Sequence, residues 1–363
     1  MKMTKVIISF SFPFLYLLLL LSPCVRANPL VPALYVFGDS LLDSGNNNFL
    51  PTMAKANFFP YGSNFAGETA TGRFTNGRTV ADFIAEFLGL PYSPPFMSIE
   101  GPRSVTGVNY ASGSCGILPE TGKFFGKCLN LKEQIDLFER TVSRELPNNL
   151  ENPTLLFEHL SKSIYLVSIG SNDYINNYLQ TNLYDTSERY QPDPYAQLLI
   201  DTLSQLLERL YKLGARKIVI FEVGPVGCIP SVSKTHPHKG FCNEESNQFV
   251  SYFNKRLATM AKDLTSRLRS STFVIGHTNS GGYDVINNPT KHGLTDGSNP
   301  CCTTWKNETS ACIPDLEPCK DPNKHVFWDA FHLTETVYSI VASRCVRDKT
   351  MCTPMSIQEL VKM

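Results

Sequence analysis

A serine near the start of this 363-residue chain and an Asp–His pair near its end have the residue types that nucleophilic catalysis needs. Ser40 follows an apolar, β-prone run over residues 33–37 that stops at a small polar turn. Asp329 and His332 are three residues apart, so the carboxylate can reach the imidazole within one turn. A serine hydroxyl is a weak nucleophile that needs a base, and the base needs an orienting partner. We therefore predict that Ser40 is the nucleophile, His332 its general base and Asp329 the group that orients His332.

Each of these residues also has a simpler interpretation when it is taken alone. Ser40 is equally typical of a helix N-cap, and both roles are compatible. A single Asp-x-x-His is usually a surface pair, although Asp329 and His332 are the only residues of the chain with that spacing. Asp39 is predicted to brace the turn by hydrogen bonding its backbone rather than to act in catalysis.

Three polar turns that contain glycine follow predicted strands: the turn at Ser40, the turn at 112–113 and the turn at 170–173. Because reactive groups gather at the carboxyl ends of parallel strands, we expect these turns to share one edge of a sheet. The tetrahedral intermediate of acyl transfer needs donors for its oxyanion. The predicted donors are the backbone N–H groups of Ser40 and Gly113 and the side-chain amide of Asn172, although simple turn geometry would also explain Gly113 and Asn172.

The chain alternates short β-branched runs with helical patterns, which predicts an α/β fold with a parallel sheet covered on both faces. The predicted strands are Leu34–Phe37, Gly107–Tyr110, Ser163–Ile169, Lys217–Val223 and Thr272–Ile275. The predicted helices are Val80–Leu88, Leu131–Glu139, Tyr195–Leu213, Glu244–Leu268 and Thr334–Cys345. Asp193 is the predicted cap of the third helix. No repeat or low-complexity linker interrupts residues 28–363, so we predict a single domain there.

Residues 1–27 have the pattern of a secretory signal peptide, with a basic start, an apolar run and a small-residue cleavage site at 25–27. The alternative is a membrane anchor, which the short apolar core and its prolines disfavour. Removing Lys2, Lys5 and Arg26 from the 33 basic residues leaves 30 against 33 acidic ones, a formal charge of −3 that suggests no nucleic-acid partner. The predicted location is extracellular, in the apoplast or cell wall, and the vacuole is also compatible.

Eleven cysteines are present, and ten remain after the predicted signal peptide with Cys24 is removed. An even number of cysteines in a secreted chain predicts disulfide bonds. The candidates are Cys115 with Cys128, Cys228 with Cys242, a group of Cys301, Cys302, Cys312 and Cys319, and Cys345 with Cys352, with the connectivity left open. Asn307 begins the only N-glycosylation sequon, in a Cys- and Pro-rich stretch expected to be a surface loop.

Other catalytic motifs are missing from the sequence. No Gly-x-Ser-x-Gly elbow occurs, which disfavours an ordinary α/β-hydrolase. No His-Glu-x-x-His, P-loop or dinucleotide-binding motif occurs either, and the predicted reaction needs neither a metal nor an organic cofactor. His236 and His238 have spacing suitable for a metal, but a solvated loop is the preferred interpretation.

Several ordered blocks of the chain resemble the plant GDSL-type esterase/lipases, which are members of the SGNH hydrolases. The resemblance covers nearly all of the predicted mature chain. It is carried by Phe37-Gly38-Asp39-Ser40-Leu41 and the following 43–48, Thr71–Arg78, Asn109-Tyr110-Ala111-Ser112-Gly113, Gly170-Ser171-Asn172-Asp173, Gly224–Cys228, Cys301-Cys302 and Asp329-Ala330-Phe331-His332. The family implies a three-layer, flavodoxin-like α/β/α fold with a central parallel sheet. It also implies the same triad and oxyanion donors. Two positions depart from the family pattern: Leu333 replaces a frequent proline, and Ser114-Cys115 replaces a frequent second glycine or alanine.

The leading hypothesis is a secreted serine ester hydrolase acting on carboxylic esters, with lipid and cell-wall acyl esters as candidate substrates. Two alternatives are an acyltransferase that uses the same triad on a sugar or hydroxy-lipid acceptor, and a non-catalytic cell-wall or lipid-binding protein. Aromatic residues lie in loops near the first blocks, where they either line an acyl groove or, in the preferred interpretation, pack the loops: Phe58, Phe59, Phe65, Phe124 and Phe125. The oligomeric state is not predicted.

Overall fold

The computed structural model describes residues 28–99 and 105–363, so the predicted signal peptide lies outside the described residues. The strands are β1 Leu34–Gly38, β2 Ile164–Ser168, β3 Lys217–Phe221, β4 Thr272–Gly276, β5 Asp296–Pro300, β6 His325–Phe327 and β7 Cys352–Thr353. The α-helices are α1 Val80–Leu88, α2 Leu131–Arg140, α3 Pro153–Lys162, α4 Ser171–Asp173, α5 Thr186–Arg189, α6 Pro192–Lys212, α7 Pro230–Ser233, α8 Glu244–Arg267, α9 Thr278–Asn287, α10 Glu335–Arg347 and α11 Ile357–Leu360.

The central sheet has the order β1-β2-β3-β4-β7, with β1 to β4 parallel and β7 antiparallel to β4. The predicted strand at 107–110 runs parallel to β1 on its free side, where the Val36 N–H donates to Val108 O at 3.1 Å and the Tyr110 N–H donates to Val36 O at 2.7 Å. It is an isolated bridge rather than a regular strand, and on its other side the Asn109 N–H donates to Pro94 O. Counted with this segment, the parallel part has the chain order 2-1-3-4-5 of flavodoxin-like folds.

Helices cover both faces of this sheet. Tyr35 and Phe37 of β1 pack with α2, α6 and α8, whereas Leu34 and Val36 pack on the other face with α1, α9 and α10. Successive side chains of a strand point to opposite faces, so a strand between two helical layers is buried along its whole length. The predicted three-layer α/β/α fold is confirmed.

The five predicted helices are all present, with one correction at a helix start. The helix expected to be capped by Asp193 begins at Pro192, and its N-cap is Gln191. Asp193 therefore lies in the first turn, where a negative charge is still favourable near the helix N-terminus. Gly214 follows the end of this helix with φ 111°, a backbone conformation that favours glycine.

The ten cysteines that were predicted to pair form five disulfide bonds. Cys115–Cys128, Cys228–Cys242 and Cys345–Cys352 pair as the spacing favoured, and the group of four forms Cys301–Cys319 and Cys302–Cys312. Asn307 lies in an exposed turn. Within residues 28–99 and 105–363, no helix is both long enough and apolar enough to span a bilayer.

Candidate active site

Ser40 is held at the carboxyl end of β1 by a turn that requires glycine before it. Gly38 has φ 152°, and a Cβ at that position would lie 2.2 Å from the carbonyl oxygen of Ser168 on β2. The Asp39 N–H donates to that same oxygen at 3.1 Å, and Asp39 Oδ1 accepts the N–H of Leu41 at 3.0 Å. The expected bracing role of Asp39 is therefore confirmed, and the brace holds Ser40 at the edge of the sheet.

His332 connects Ser40 to Asp329. His332 Nε2 lies 2.7 Å from Ser40 Oγ, and His332 Nδ1 lies 2.8 Å from Asp329 Oδ2. Ser40 is 8% exposed and His332 7%, while Asp329 has no exposed surface. This is the order of contacts that a nucleophile, a base and an orienting carboxylate need.

Asp329 is buried but accepts several hydrogen bonds. Its Oδ1 accepts the backbone N–H groups of Phe331 and His332, both at 2.8 Å. Burial by itself raises the pKa of Asp329, but the facing His332 and these hydrogen bonds outweigh burial and hold the pKa below its usual value. The carboxylate is therefore charged at neutral pH, as stabilising an imidazolium requires.

Two aromatic residues to which the sequence pattern gives no role, Tyr61 and Phe74, contact Asp329 and His332. The Tyr61 hydroxyl donates to Asp329 Oδ2 at 2.6 Å, and its oxygen accepts the N–H of Cys312 at 3.3 Å. The Phe74 ring lies 5.1 Å from the His332 ring, centroid to centroid. Phe74 belongs to the resembling block 71–78, but no sequence spacing connects Tyr61 to a carboxylate 268 residues away.

The predicted oxyanion donors differ in how they are engaged. Asn172 Nδ2 donates one hydrogen to Cys115 O at 2.9 Å, and Asn172 Oδ1 accepts from Asn176 at 2.8 Å. The amide is thereby oriented, and its second N–H is not committed to either partner. The Gly113 N–H, in contrast, donates to Asp43 Oδ2 at 3.1 Å. Gly113 is therefore already paired with a buried carboxylate.

Comparisons with known proteins identify the family of this chain. Residues 34–345 match the family model of GDSL-like lipases/acylhydrolases. The chain belongs to this family. It is 46% identical over 341 residues to GDSL esterase/lipase 7 of Arabidopsis thaliana. That alignment covers 92% of the chain and 93% of the relative. A second Arabidopsis thaliana GDSL esterase/lipase is 40% identical over 340 residues, covering 92% of the chain and 88% of the relative.

Membership of the GDSL family makes the protein a carboxylic ester hydrolase. The segment that gives the family its name is Gly38–Leu41 here, and it contains Ser40. The Asp–His pair of the last block is the pair that contacts Ser40. The roles of the individual residues remain predictions.

Three buried carboxylates brace the turns of this GDSL site. Burial raises the pKa of Asp39 to about 7, and it raises the pKa of Asp43 and of Asp173 to about 6. Asp43 accepts three backbone N–H groups, and Asp173 accepts two together with the Thr121 hydroxyl. Asp39 Oδ2 has no hydrogen-bond partner within the described part of the chain.

A cavity of about 1150 Å³ opens onto Ser40 and His332 of this GDSL hydrolase. Much of its wall is apolar, including Met53, Phe58, Phe124, Phe125, Ile175, Leu179, Leu183, Val226, Ile229, Val232, Trp305 and Phe331. Three of the five aromatic residues considered from sequence thus line it, whereas Phe59 and Phe65 do not. An apolar cavity with a few converging polar groups is typical of a small-molecule site.

His236 lines this cavity too, but His238 does not. Among the residues that the structure describes, no group of three or more His, Cys, Asp or Glu side chains is arranged to hold a metal ion. Pro237 and His238 are exposed, as expected for a solvated loop, whereas His236 is half-buried.

Proposed function

We propose that the protein hydrolyses carboxylic esters through an acyl-enzyme on Ser40. Ser40 Oγ adds to the ester carbonyl while His332 Nε2 takes its proton, and Asp329 stabilises the resulting imidazolium. The C–O bond to the alcohol then breaks, and the alcohol leaves with the proton from His332. Water, deprotonated by His332, cleaves the acyl-enzyme in the same way. The observation that carries this proposal is the 2.7 Å contact between Ser40 Oγ and His332 Nε2.

The proposed substrates are esters with an apolar acyl group, such as lipid or cell-wall acyl esters. The cavity beside Ser40 has a volume of about 1150 Å³. That volume is slightly above the range of about 300–1,000 Å³ that is typical of small-molecule sites, so it exceeds what a short ester needs. Its many aliphatic and aromatic wall residues favour a hydrocarbon chain over a charged group.

Hydrolysis of p-nitrophenyl esters from acetyl to long acyl, by wild type and Ser40→Ala, tests this function. Both proteins are first shown to be folded with intact disulfides. We expect the variant to lose essentially all activity and the wild type to prefer longer acyl chains. Full activity in folded Ser40→Ala would refute the mechanism. Product analysis with an added alcohol then separates hydrolysis from acyl transfer.

We also propose that the protein is secreted and glycosylated at Asn307. Five disulfide bonds support an oxidising compartment, and the exposed position of Asn307 supports its glycosylation. Expression of the full chain in a eukaryotic host should give protein in the medium that begins near Asn28. Endoglycosidase treatment should reduce its mass, and Asn307→Gln should remove that change. Retention of all protein inside the cells would contradict secretion.

A further inference from the structure

One residue of the turn at 112–116 lines the cavity that contains Ser40, and it is not Gly113. The Gly113 N–H donates to Asp43 Oδ2 at 3.1 Å, and Asp43 is wholly buried beneath the turn. Gly113 does not line the cavity that contains Ser40. A donor that is paired with a buried carboxylate and lies away from the cavity is poorly placed to bind a second anion.

Ser114, the next residue, has the properties that Gly113 lacks. It lines the cavity together with Ser40 and Asn172. Within the described residues, its backbone N–H donates to no protein group. Its side-chain oxygen is buried and has no hydrogen-bond partner there either. Buried polar groups are nearly always paired, so two unpaired donors on one residue at a reaction site point to a ligand.

The backbone around Ser114 is fixed on both sides. Gly113 O accepts Asn47 Nδ2 at 3.0 Å, and Cys115 O accepts Asn172 Nδ2 at 2.9 Å. Cys115 is also bonded to Cys128. The turn is therefore held rigidly against Asn172, and donors that are fixed before the reaction stabilise a developing charge most effectively.

Ser114 also has an unusual backbone conformation. Its φ is 70°, in the left-handed region that costs a residue with a side chain more than it costs glycine. Strained positions of this kind are frequent at active sites, where the surrounding structure enforces them. A glycine at 114 would relieve the strain, so the presence of serine is consistent with a use for its hydroxyl.

We propose that Ser114, in place of Gly113, provides the second backbone N–H of the oxyanion hole and that its hydroxyl is an additional donor. The inference rests on the proposed acyl-enzyme mechanism. When Ser40 Oγ adds to the carbonyl carbon, the carbonyl oxygen becomes an oxyanion that accepts from Ser114 N–H and Oγ–H, from Asn172 Nδ2 and from Ser40 N–H. No bond of Ser114 forms or breaks.

The hydroxyl is tested with Ser114→Ala and Ser114→Gly, both of which keep the backbone N–H. We expect kcat for a p-nitrophenyl ester to fall about 10- to 100-fold in both variants, with little change in KM, because the hydrogen bond forms only to the charged oxyanion. Affinity for a trifluoromethyl ketone, which forms a tetrahedral adduct with the serine, should fall by a similar factor. Ser114→Gly should at the same time be no less stable than wild type.

Ser63→Ala is the matched control, because the Ser63 hydroxyl also has no hydrogen-bond partner within the described residues, whereas Ser63 does not line the cavity. It should keep the wild-type kcat and inhibitor affinity. Unchanged kcat and inhibitor affinity in both Ser114 variants would overturn the role of the hydroxyl. A loss in Ser114→Ala that Ser114→Gly does not share would also overturn it, because backbone strain would then be the cause.

The backbone donor is tested by replacing one amide with an ester, using the α-hydroxy acid analogue of the residue. The analogue of serine at 114 removes that N–H and also weakens Gly113 O as the acceptor of Asn47 Nδ2, and we expect kcat to fall on the order of 100-fold. The analogue of glycine at 113 removes the bond to Asp43 and should lower stability while the folded protein keeps most of its kcat. The opposite pattern, with catalysis lost at 113 and retained at 114, would restore Gly113 as the donor.

Failure of this inference and failure of the proposed mechanism give different results. If fluorophosphonate did not label Ser40 in the wild type, the mechanism would be refuted, and the proposed oxyanion hole with it. Normal labelling of Ser40 in wild type, combined with unchanged kcat in the Ser114 variants and in the 114 ester, would refute only the role of Ser114. The rate of fluorophosphonate labelling serves as the readout if p-nitrophenyl esters are poor substrates.

Discussion

The Tyr61 hydroxyl donates a 2.6 Å hydrogen bond to Asp329 Oδ2, the same oxygen that lies 2.8 Å from His332 Nδ1. Asp329 Oδ1 accepts two backbone N–H groups, so the carboxylate is held from both sides. Tyr61 thereby fixes the orientation of the residue that orients His332. It does so from a loop far away in sequence, which connects the 50–78 region to the reaction site.

Tyr61→Phe should lower the free energy of unfolding by about 1.5–3 kcal/mol at pH 7, because it removes a buried hydrogen bond to a charged group. The Tyr61 hydroxyl helps to lower the pKa of Asp329, and a lowered carboxyl pKa stabilises the fold only above the unfolded value of about 4. The part of the difference in unfolding free energy between wild type and Tyr61→Phe that is due to Asp329 should therefore shrink as the pH falls below about 4. Denaturant unfolding at pH 7 and pH 3, with the disulfides intact, measures it.

The matched control for this change is Tyr174→Phe. Tyr174 is also a buried tyrosine, but its hydroxyl has no hydrogen-bond partner within the described residues. It should show no such dependence on pH. An equal loss of unfolding free energy for both variants at both pH values would contradict a specific role of the hydrogen bond between Tyr61 and Asp329.

Asp39→Asn should stabilise the protein at pH 8 more than at pH 5. The pKa of Asp39 is raised to about 7 by burial, so between about pH 4 and pH 7 the folded state holds a proton that the unfolded state has lost. The stability of the wild type therefore falls as the pH rises through this range, by a few kcal/mol on the scale of 1.36 kcal/mol per pKa unit. Asparagine keeps an acceptor for the Leu41 N–H and does not ionise.

Unfolding free energies of wild type and Asp39→Asn at pH 5, 6, 7 and 8 test this expectation. The difference in unfolding free energy between the two proteins should grow from pH 5 to about pH 7 and then level off toward pH 8. A difference that is the same at all four values would show that Asp39 is ionised in the folded protein throughout this range.

Removing the Cys115–Cys128 bond by a double change to serine should lower stability by about 3 kcal/mol and lower kcat in the protein that remains folded. The bond closes a short loop, which sets the stability cost. The effect on kcat follows because Ser114 directly precedes this loop and Cys115 O accepts a hydrogen bond from Asn172 Nδ2.

The control is the corresponding double change at Cys345–Cys352, which joins α10 to β7 and does not line the cavity. It should lower stability while the folded protein keeps its kcat. If removing either disulfide bond lowered kcat equally, disulfides would act on this enzyme only through its global stability.

Phe124→Ala should weaken the use of long acyl esters more than that of short ones. Phe124 lines the cavity although 56% of its surface is exposed, so a long chain can cover it. Losing that contact should cost about 1 kcal/mol, or roughly 5-fold in kcat/KM for the long ester. Phe241→Ala, at an even more exposed phenylalanine that does not line the cavity, is the control. A similar loss for p-nitrophenyl acetate would contradict an acyl-chain contact.

The sequence was sufficient to predict the central elements of the fold. The apolar run of β1 and the polar turn at Ser40 are local signals, and alternating strands and helices imply the sheet that brings Ser40 and Asn172 to one edge. Weaker elements give no such signal. Residues Asp296–Pro300 form β5 although Asp, Gly, Asn and Pro are depleted in strands, because pairing with His325–Phe327 decides their conformation.

The details of the site depend on contacts between distant residues that no local pattern reveals. Nothing in the spacing of Tyr61 and Asp329 shows that they meet. Sequence alone also cannot show that Asp43 accepts the N–H of Gly113, 70 residues away, and leaves that of Ser114 open. The motif identified the turn, and the hydrogen-bond geometry distinguished the two residues within it.

The most direct test of the central claim is the rate and position of fluorophosphonate labelling in wild type and His332→Gln. Peptide mass spectrometry should find the phosphonyl group on Ser40 in the wild type. Labelling should be slower by a factor on the order of 1000 or more in folded His332→Gln, because the proposed base, which contacts Ser40 Oγ at 2.7 Å, is lost. Labelling on another residue, or an unchanged rate without His332, would contradict a histidine-activated Ser40 nucleophile.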